Sequence, residues 1–326
     1  MEYITLNNGI KMPQVGLGTF LIPKDHLENT LIKAYELGYR QFDTAWRYHN
    51  ENDIANVFKK HGIKREDVFI TTKINADALF KGGYKMGYHE IFNRKSLTIE
   101  QAVEESFENL QTEYIDLFLI HHPWRMFLEM WKVLERFYKK GRIKAIGVSS
   151  FLKPHLEAIA EISDVVPVVN QFEISPLNTQ KELIRYCQSK GIAVEAMSTF
   201  SHYRSVAPRP EIIENEDLKQ IAQKHGKSVV QIVLKWLLQQ NIIIIPKTWN
   251  EQHLVENISL FDYMLTDSEV AKIDSLDRGK FLNYNPYYAQ KGLPKHLRRW
   301  PEFRNPFNFS ESFNSLPAWR KWGRIY

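Results

Sequence analysis

The chain of 326 residues carries a single cysteine, Cys187. One thiol excludes an intramolecular disulfide and fits a reducing compartment. It falls in the helix-like run 182–190, where buried filler is its expected role. A cysteine cluster is absent, as is an H-E-x-x-H helix, so no metal is expected. Long apolar runs are missing too. The longest uninterrupted one spans 242–245, far short of the roughly 20 residues a membrane helix needs. Residues 1–9 are polar and charged, without the apolar core of a secretory leader. Nor is there a large excess of one charge: 43 Lys and Arg against 38 Asp and Glu leave +5. That mild excess suits an acidic ligand such as a phosphate as well as it suits nucleic acid. A dinucleotide fingerprint is begun by Gly16 and Gly18 but broken by Leu21, which excludes a Rossmann loop there. The expectation is a cytoplasmic protein whose partners are neither membrane nor nucleic acid.

What is present is an alternation. Apolar strand-like runs lie at 15–19, 40–42, 68–71, 115–120, 143–147, 165–169, 192–195 and 242–245. Helix-periodic segments lie between them at 26–37, 53–61, 98–110, 127–140, 154–162, 179–190 and 250–257. Four hydroxyl-x-x-acid/amide pairs predict capping boxes: Thr98/Gln101, Thr179/Glu182, Thr248/Glu251 and Thr266/Glu269. Strands apolar on both faces and alternating with helices mean a parallel sheet covered by helices. About eight such units close a barrel, so the predicted fold is α/β, a (β/α)8 TIM barrel. Ahead of it, 3–6 and 10–13 flank Asn8-Gly9 and predict a hairpin with a type I′ turn. Two long irregular loops are expected at 74–97 and 198–210. The barrel domain is assigned to 1–280. The aromatic, basic stretch 281–326 is a C-terminal extension expected to pack on the barrel or on a partner subunit, in a monomer or homodimer. Residues 217–236 have the helix-Gly-helix outline of a DNA-binding motif. Val229, Val230, Ile232, Val233, Leu234 and Trp236 on the second helix nonetheless read as core contacts, not as base-reading groups.

In a TIM barrel the reacting groups sit at the C-terminal ends of the strands. That rule selects Asp43 and Tyr48, Lys73, His121 and His122, Ser149 and Ser150, Gln171 and Glu173, and Lys247 and Thr248. Singly each has a bland account: Asp43 as a helix cap, Lys73 as a solvated strand end, His121 as a satisfied core histidine. Together they make a proton donor with support. A free phenol is a poor acid near neutrality, at pKa about 10. An ammonium beside it lowers that value, a carboxylate holds the ammonium, and an imidazole orients a carbonyl oxygen. A lysine at a barrel strand also admits a Schiff-base lyase with Lys73 as nucleophile, which Asp43 and Tyr48 at the same mouth argue against.

These residues sit in motifs that resemble those of the aldo-keto reductase superfamily. Asp43-Thr44-Ala45 with Tyr48 and Asn50-Glu51 is similar to D-T-A-x-x-Y-x-N-E, and Thr71-Thr72-Lys73 to the segment carrying the family's lysine. Leu119-Ile120-His121 with Pro123 is similar to L-I-H-x-P. The run Ile146–Phe151 resembles G-V-S-N-F, Asn170-Gln171-Phe172-Glu173 resembles N-Q-x-E, and Ile245-Pro246-Lys247-Thr248 resembles I-P-K-S. The motifs occur in family order over 1–280. The resemblance implies metal-free reduction of an aldehyde or ketone with NADPH, NADH being the alternative. Tyr48 would give the proton, Lys73 and Asp43 would tune it, and His121 would place the carbonyl. It further implies a cofactor set of Gly18, Thr19, Ser149, Ser150, Gln171, Met197, Ser198, Phe200, Lys247, Thr248, His253, Glu256 and Asn257. Phe20, Trp46, His122 and Trp124 would line the site of a small carbonyl substrate. Several positions depart from the family pattern. Met197 stands where a tyrosine is usual, Ser150 where an asparagine is, His253 where an arginine often is, and Phe20 and His122 where tryptophans are common. Those departures motivate a second reading, a cofactor-binding barrel with little turnover that serves as an interaction or sensing protein.

Overall fold

The computed structural model describes residues 2–79, 82–86, 89–94, 96–123, 126–200, 208–279, 281 and 294, with backbone alone at 77, 82–86, 89–94 and 208. The chain divides into two units, Met1–Leu293 and Pro294–Tyr326. The expected extension 281–326, Phe281 and Pro294 apart, lies outside the described residues.

The first unit opens with an antiparallel hairpin, β1 (Tyr3–Thr5) and β2 (Lys11–Pro13). Then come β3 (Gly16–Gly18), α1 (Lys24–Glu36), β4 (Gln41–Asp43), a 3-10 turn at Trp46–Tyr48, α2 (Glu51–Lys60) and β5 (Phe69–Ile74). A second hairpin, β6 (Gly82–Met86) and β7 (His89–Arg94), leads to α3 (Ile99–Asn109), β8 (Leu117–Ile120) and α4 (Phe127–Lys139). The next units are β9 (Ile146–Ser149), α5 (Lys153–Ala160), β10 (Val169–Glu173), α6 (Lys181–Ser189) and β11 (Ala193–Met197). The described chain ends with α7 (Pro208–Ile213), α8 (Glu216–His225), α9 (Val229–Gln239), β12 (Ile243–Ile244), α10 (Glu251–Ile258) and α11 (Asp267–Asp274).

Strands β3, β4, β5, β8, β9, β10, β11 and β12 pair in parallel in that order. A parallel bridge from Val15 to Ile244, with Ile244 N donating to Gln14 O at 3.0 Å, joins the two outer strands and closes the barrel. The (β/α)8 expectation holds. Closure needs close approach at Gly18, where a Cβ would lie 2.9 Å from the Ile245 oxygen. The first hairpin plugs the N-terminal end of the barrel. Leu6 and Met12 join Phe69, Leu117, Leu119, Val169 and Ile243 in one apolar cluster. With that end filled by hydrocarbon, polar chemistry is left to the other end.

Several local expectations are corrected. The first turn is not type I′: Gly9 has φ 86° while Asn8 is not at positive φ, and Gly9 N donates to Leu6 O at 2.9 Å. Segment 74–97 is not wholly irregular, since it holds β6 and β7. Capping boxes form at Thr98/Gln101 and Thr266/Glu269, but not at the other two expected sites. Thr179 bonds Asp277 instead, and α6 begins after Gln180. Asn250, not Thr248, caps α10, its side chain accepting from His253 N at 3.0 Å. Ser228/Gln231 adds a box at the start of α9. That helix is core, with Ile232, Val233, Leu234 and Trp236 all buried, as their apolarity predicted. Among the described residues no helix is long and apolar enough to cross a membrane.

Candidate active site

The site is built from the C-terminal ends of the strands. β4 ends in Asp43 and β5 carries Lys73 beside it. Lys73 has no exposed side-chain surface, and its ammonium donates to Asp43 Oδ1 at 2.6 Å, Oδ2 at 2.7 Å and the Thr44 carbonyl at 2.8 Å. Burial works against that charge, but Asp43, Tyr48 and Glu195 outweigh it, and the Lys73 pKa ends above its ordinary value. Lys73 is therefore a held cation and not a free amine nucleophile, which removes the Schiff-base alternative.

Tyr48 arrives on the 3-10 turn after β4. Asn50 fixes that turn: the Thr44 hydroxyl donates to its side-chain oxygen at 2.6 Å, and its amide donates to Thr19 O at 3.2 Å and Oγ1 at 3.1 Å. Glu51 follows, fully buried, accepting from Thr72 Oγ1 at 2.6 Å and Asn109 Nδ2 at 3.2 Å. The Tyr48 ring lies 4.6 Å from Phe20 and 5.6 Å from His121, and the Lys73 ammonium is 5.2 Å from its centre. Burial pushes the Tyr48 pKa up to about 12, and Lys73, by charge and hydrogen bond, only partly offsets it. The sequence-based expectation of a lowered phenol pKa is thus corrected: desolvation wins, and Tyr48 is a protonated, weak acid near neutrality.

His121 and His122 stack, ring centres 4.5 Å apart. Burial, then the neighbouring imidazole and the Lys73 and Arg47 charges, hold His121 well below its usual pKa, so the ring is neutral. Its Nδ1 is buried and meets no partner among the described residues. A neutral imidazole at the rim can offer an N–H to a carbonyl oxygen without adding charge.

At the end of β9, the strand next to β8, Ser149 Oγ and Ser150 Oγ are buried without hydrogen-bond partners among the described residues, and Ser150 holds φ 64°. Orphaned buried hydroxyls at a strand end mark where a polar ligand belongs. They fit the carboxamide of a nicotinamide. Two strands along, Met197 ends β11 and Ser198 follows it, both half-buried, with Thr199 and Phe200 next in the chain. Lys247 lies above the Trp249 ring at 4.9 Å. Partial loss of water, with the Arg209 charge second, pushes the pKa of this otherwise exposed lysine down. Thr248 and Asn257 are buried, Glu256 is half-buried and His253 is exposed on the first turn of α10, so cation and helix start lie within two turns of chain.

Other expected residues have structural work. Thr19 Oγ1 donates to Asp43 O at 2.9 Å, and Gly18 is required by closure. Trp46 is buried and donates to Glu105 on α3 at 2.9 Å. Glu173 is buried and accepts from Asn178. Trp124 lies outside the described residues. Gln171 spends both amide hydrogens, on Asp43 Oδ2 at 2.9 Å and Glu195 Oε2 at 2.6 Å. Glu195 was missed by the sequence reading. It is fully buried at the middle of β11 and also accepts from Gln41 Nε2 at 2.6 Å. The available signal was a glutamate within the apolar run 192–196.

Known proteins bear on this geometry. The model of the aldo/keto reductase family matches residues 14–278. The chain is 39% identical over 288 residues to the glyoxal reductase of Bacillus subtilis (strain 168), covering 87% of this chain and 96% of that protein. It is 32% identical over 286 residues to the methylglyoxal reductase of Escherichia coli O157:H7, again with 87% of this chain and 96% of that one. Among solved structures, an aldo-keto reductase of Bombyx mori in complex with NADP is similar at TM-score 0.75 and 31% identity, covering 90% of this chain and 98% of that chain.

Proposed function

The chain belongs to the aldo/keto reductase family, and we propose that it reduces small aldehydes and ketones, short dicarbonyls such as glyoxal and methylglyoxal among them, with NADPH. The observation that carries the reading is the Tyr48 phenol beside Lys73, an ammonium held by both oxygens of Asp43 at 2.6 and 2.7 Å. When bound, NADPH supplies the hydride that the carbonyl carbon accepts. Tyr48 supplies the proton to the carbonyl oxygen. Its high pKa keeps the donor loaded at neutral pH, and Lys73 stabilises the phenolate left behind. Neutral His121 orients the oxygen toward that proton. Phe20, Tyr48, His121 and His122 make a continuous run of ring contacts that would wall the site of a small carbonyl compound.

The assignment of the cofactor end rests on Ser149 and Ser150 for the carboxamide and on Lys247 with the α10 N-terminus for the 2′-phosphate. Titration with NADPH and NADH, followed by loss of reduced-nicotinamide absorbance against a panel of aldehydes, ketones and dicarbonyls, tests the reading. Tyr48→Phe is expected to lose at least about 10²-fold in turnover while binding NADPH as tightly as the parent. Tight cofactor binding with no turnover on any panel member would sink the reductase reading and leave a sensing barrel.

A further inference from the structure

Glu195 has none of its surface exposed, and its two oxygens face amides, not cations. Oε1 lies 2.6 Å from the end of the Gln41 side chain. The Gln171 amide lies equally close to Oε2, at 2.6 Å, so both oxygens are held by neutral groups. The Gln41 carbonyl oxygen is meanwhile buried with no partner. Turning the Gln41 amide over would bring its oxygen onto Glu195 Oε1 to accept a proton carried by the acid, with the Gln41 NH2 taking the buried position where the oxygen now meets no partner. Gly16 makes the room: a Cβ there would lie 2.7 Å from Gln41 Cδ. The charged groups facing Glu195 are Asp43 on β4 and Lys73 on β5. Lys73 is already spent on Asp43 and the Thr44 carbonyl. The adjacent strands set Gln171 and Ile243 beside it, neither of them a cation. Burial first, then repulsion by Asp43, push the Glu195 pKa up to about 7.

We propose that Glu195 is a positioning residue of the proton-transfer site: it carries a proton in the working enzyme, and through Gln171 it aims the Asp43 carboxylate at Lys73. Its kinetic consequence rests on the carbonyl-reductase reading; the proton on Glu195 does not. With Glu195 neutral, Asp43 and Lys73 balance each other in the barrel interior. With Glu195 ionised, a second anion stands beside Asp43, the Tyr48 proton is harder to release, and turnover falls.

Glu195→Gln separates this from a packing role. The amide can give an N–H to the Gln41 oxygen and a carbonyl to Gln171, so it copies the neutral acid at every pH. We expect kcat of E195Q within about twofold of the parent at pH 5.5. The parent's kcat should then fall several-fold toward pH 8.5 through a step that E195Q lacks, with NADPH affinity equal in both. Glu195→Ala is expected to lose about tenfold in kcat at pH 5.5, which E195Q restores. Thermal unfolding supplies a readout independent of turnover: the midpoint of E195Q should rise relative to the parent between pH 5.5 and 8.5. A constant offset between the two midpoints, or an E195Q rate profile that keeps the parent's step, overturns the proposal. If no carbonyl compound is reduced at all, the unfolding comparison still decides where the proton is.

Discussion

A lysine with no exposed side-chain surface stays charged only where the surroundings replace its lost water. Lys73 manages this with three acceptors, two of them on one carboxylate. The pair is weak evidence for stability in itself, because both ions were taken out of water to make it. Breaking it is another matter. Lys73→Met leaves the buried Asp43 carboxylate with the Gln171 amide as its side-chain hydrogen-bond partner among the described residues, and is expected to cost roughly 3–5 kcal/mol in urea unfolding. Turnover should fall by about 10²–10⁴, the usual worth of a supported proton donor. Adding Asp43→Asn removes the stranded charge. The double variant should recover most of the stability and none of the turnover. If it recovers neither, the Lys73 contribution is packing and not charge.

At the scale of the element, helix starts divide into those that cap as their sequence says and those that do not. At α9, Ser228 Oγ accepts from Gln231 N at 3.2 Å and Gln231 Oε1 accepts from Ser228 N at 3.0 Å. Ser228→Ala is expected to lower stability by about 1 kcal/mol, read as a shift in the urea midpoint, and Ser228→Asn to retain most of it. A loss below a few tenths in the alanine variant would show the cap to be redundant with burial. The same divide governs how far the sequence could be read. Helices were legible from their period, and strands from apolar runs, but the runs at 143–147 and 165–169 begin ahead of β9 and β10 (Ile146–Ser149 and Val169–Glu173). The displacement has a cause. These strands carry Ser149 and Asn170, Gln171 and Glu173, buried polar groups that an apolar pattern omits. The proposed catalytic residues were legible because they lie at or near the C-terminal ends of strands and sit in recognisable motifs. Gln41 and Glu195 were not, because no strand-end rule or motif marks them, and their partnership joins β4 to β11 across 154 residues of chain. Thr248 was read as a cap because its spacing to Glu251 is right; the chain instead runs two residues further before Asn250 turns it into α10.

For the whole molecule, acid and alkaline stability are set by buried groups that resist charging. Burial raises Glu51 from 4.5 to about 7, and Glu195 likewise. Burial lowers His122 from 6.5 to about 3, and His121 in the same direction. The signs are opposite in effect. A glutamate with a raised folded pKa favours folding most below 4.5 and loses that contribution as pH climbs to about 7. A histidine with a lowered folded pKa favours folding above 6.5 and loses that contribution as pH falls toward about 3. Between 4.5 and 6.5 the two pairs oppose each other, so their joint contribution should be nearly flat there, with an acid loss below the window where the histidines, and Glu269 with its pKa lowered to about 2, are still titrating. Glu51→Gln removes one member and tilts the balance. Its Thr72 and Asn109 partners can both bond an amide, so the fold should tolerate the change. The Glu51 shift from 4.5 to about 7 is worth on the order of 3 kcal/mol. The variant should therefore gain about that much on the parent as pH is raised from 4.5 to 8, measured as urea unfolding free energies across the range. It should also lose the flat window, becoming less stable on acidification from 6.5, where Glu195 alone no longer balances two histidines. A difference between variant and parent that does not change with pH would mean that Glu51 is ionised in the folded protein, and that its bonds to Thr72 and Asn109 replace the water it gave up.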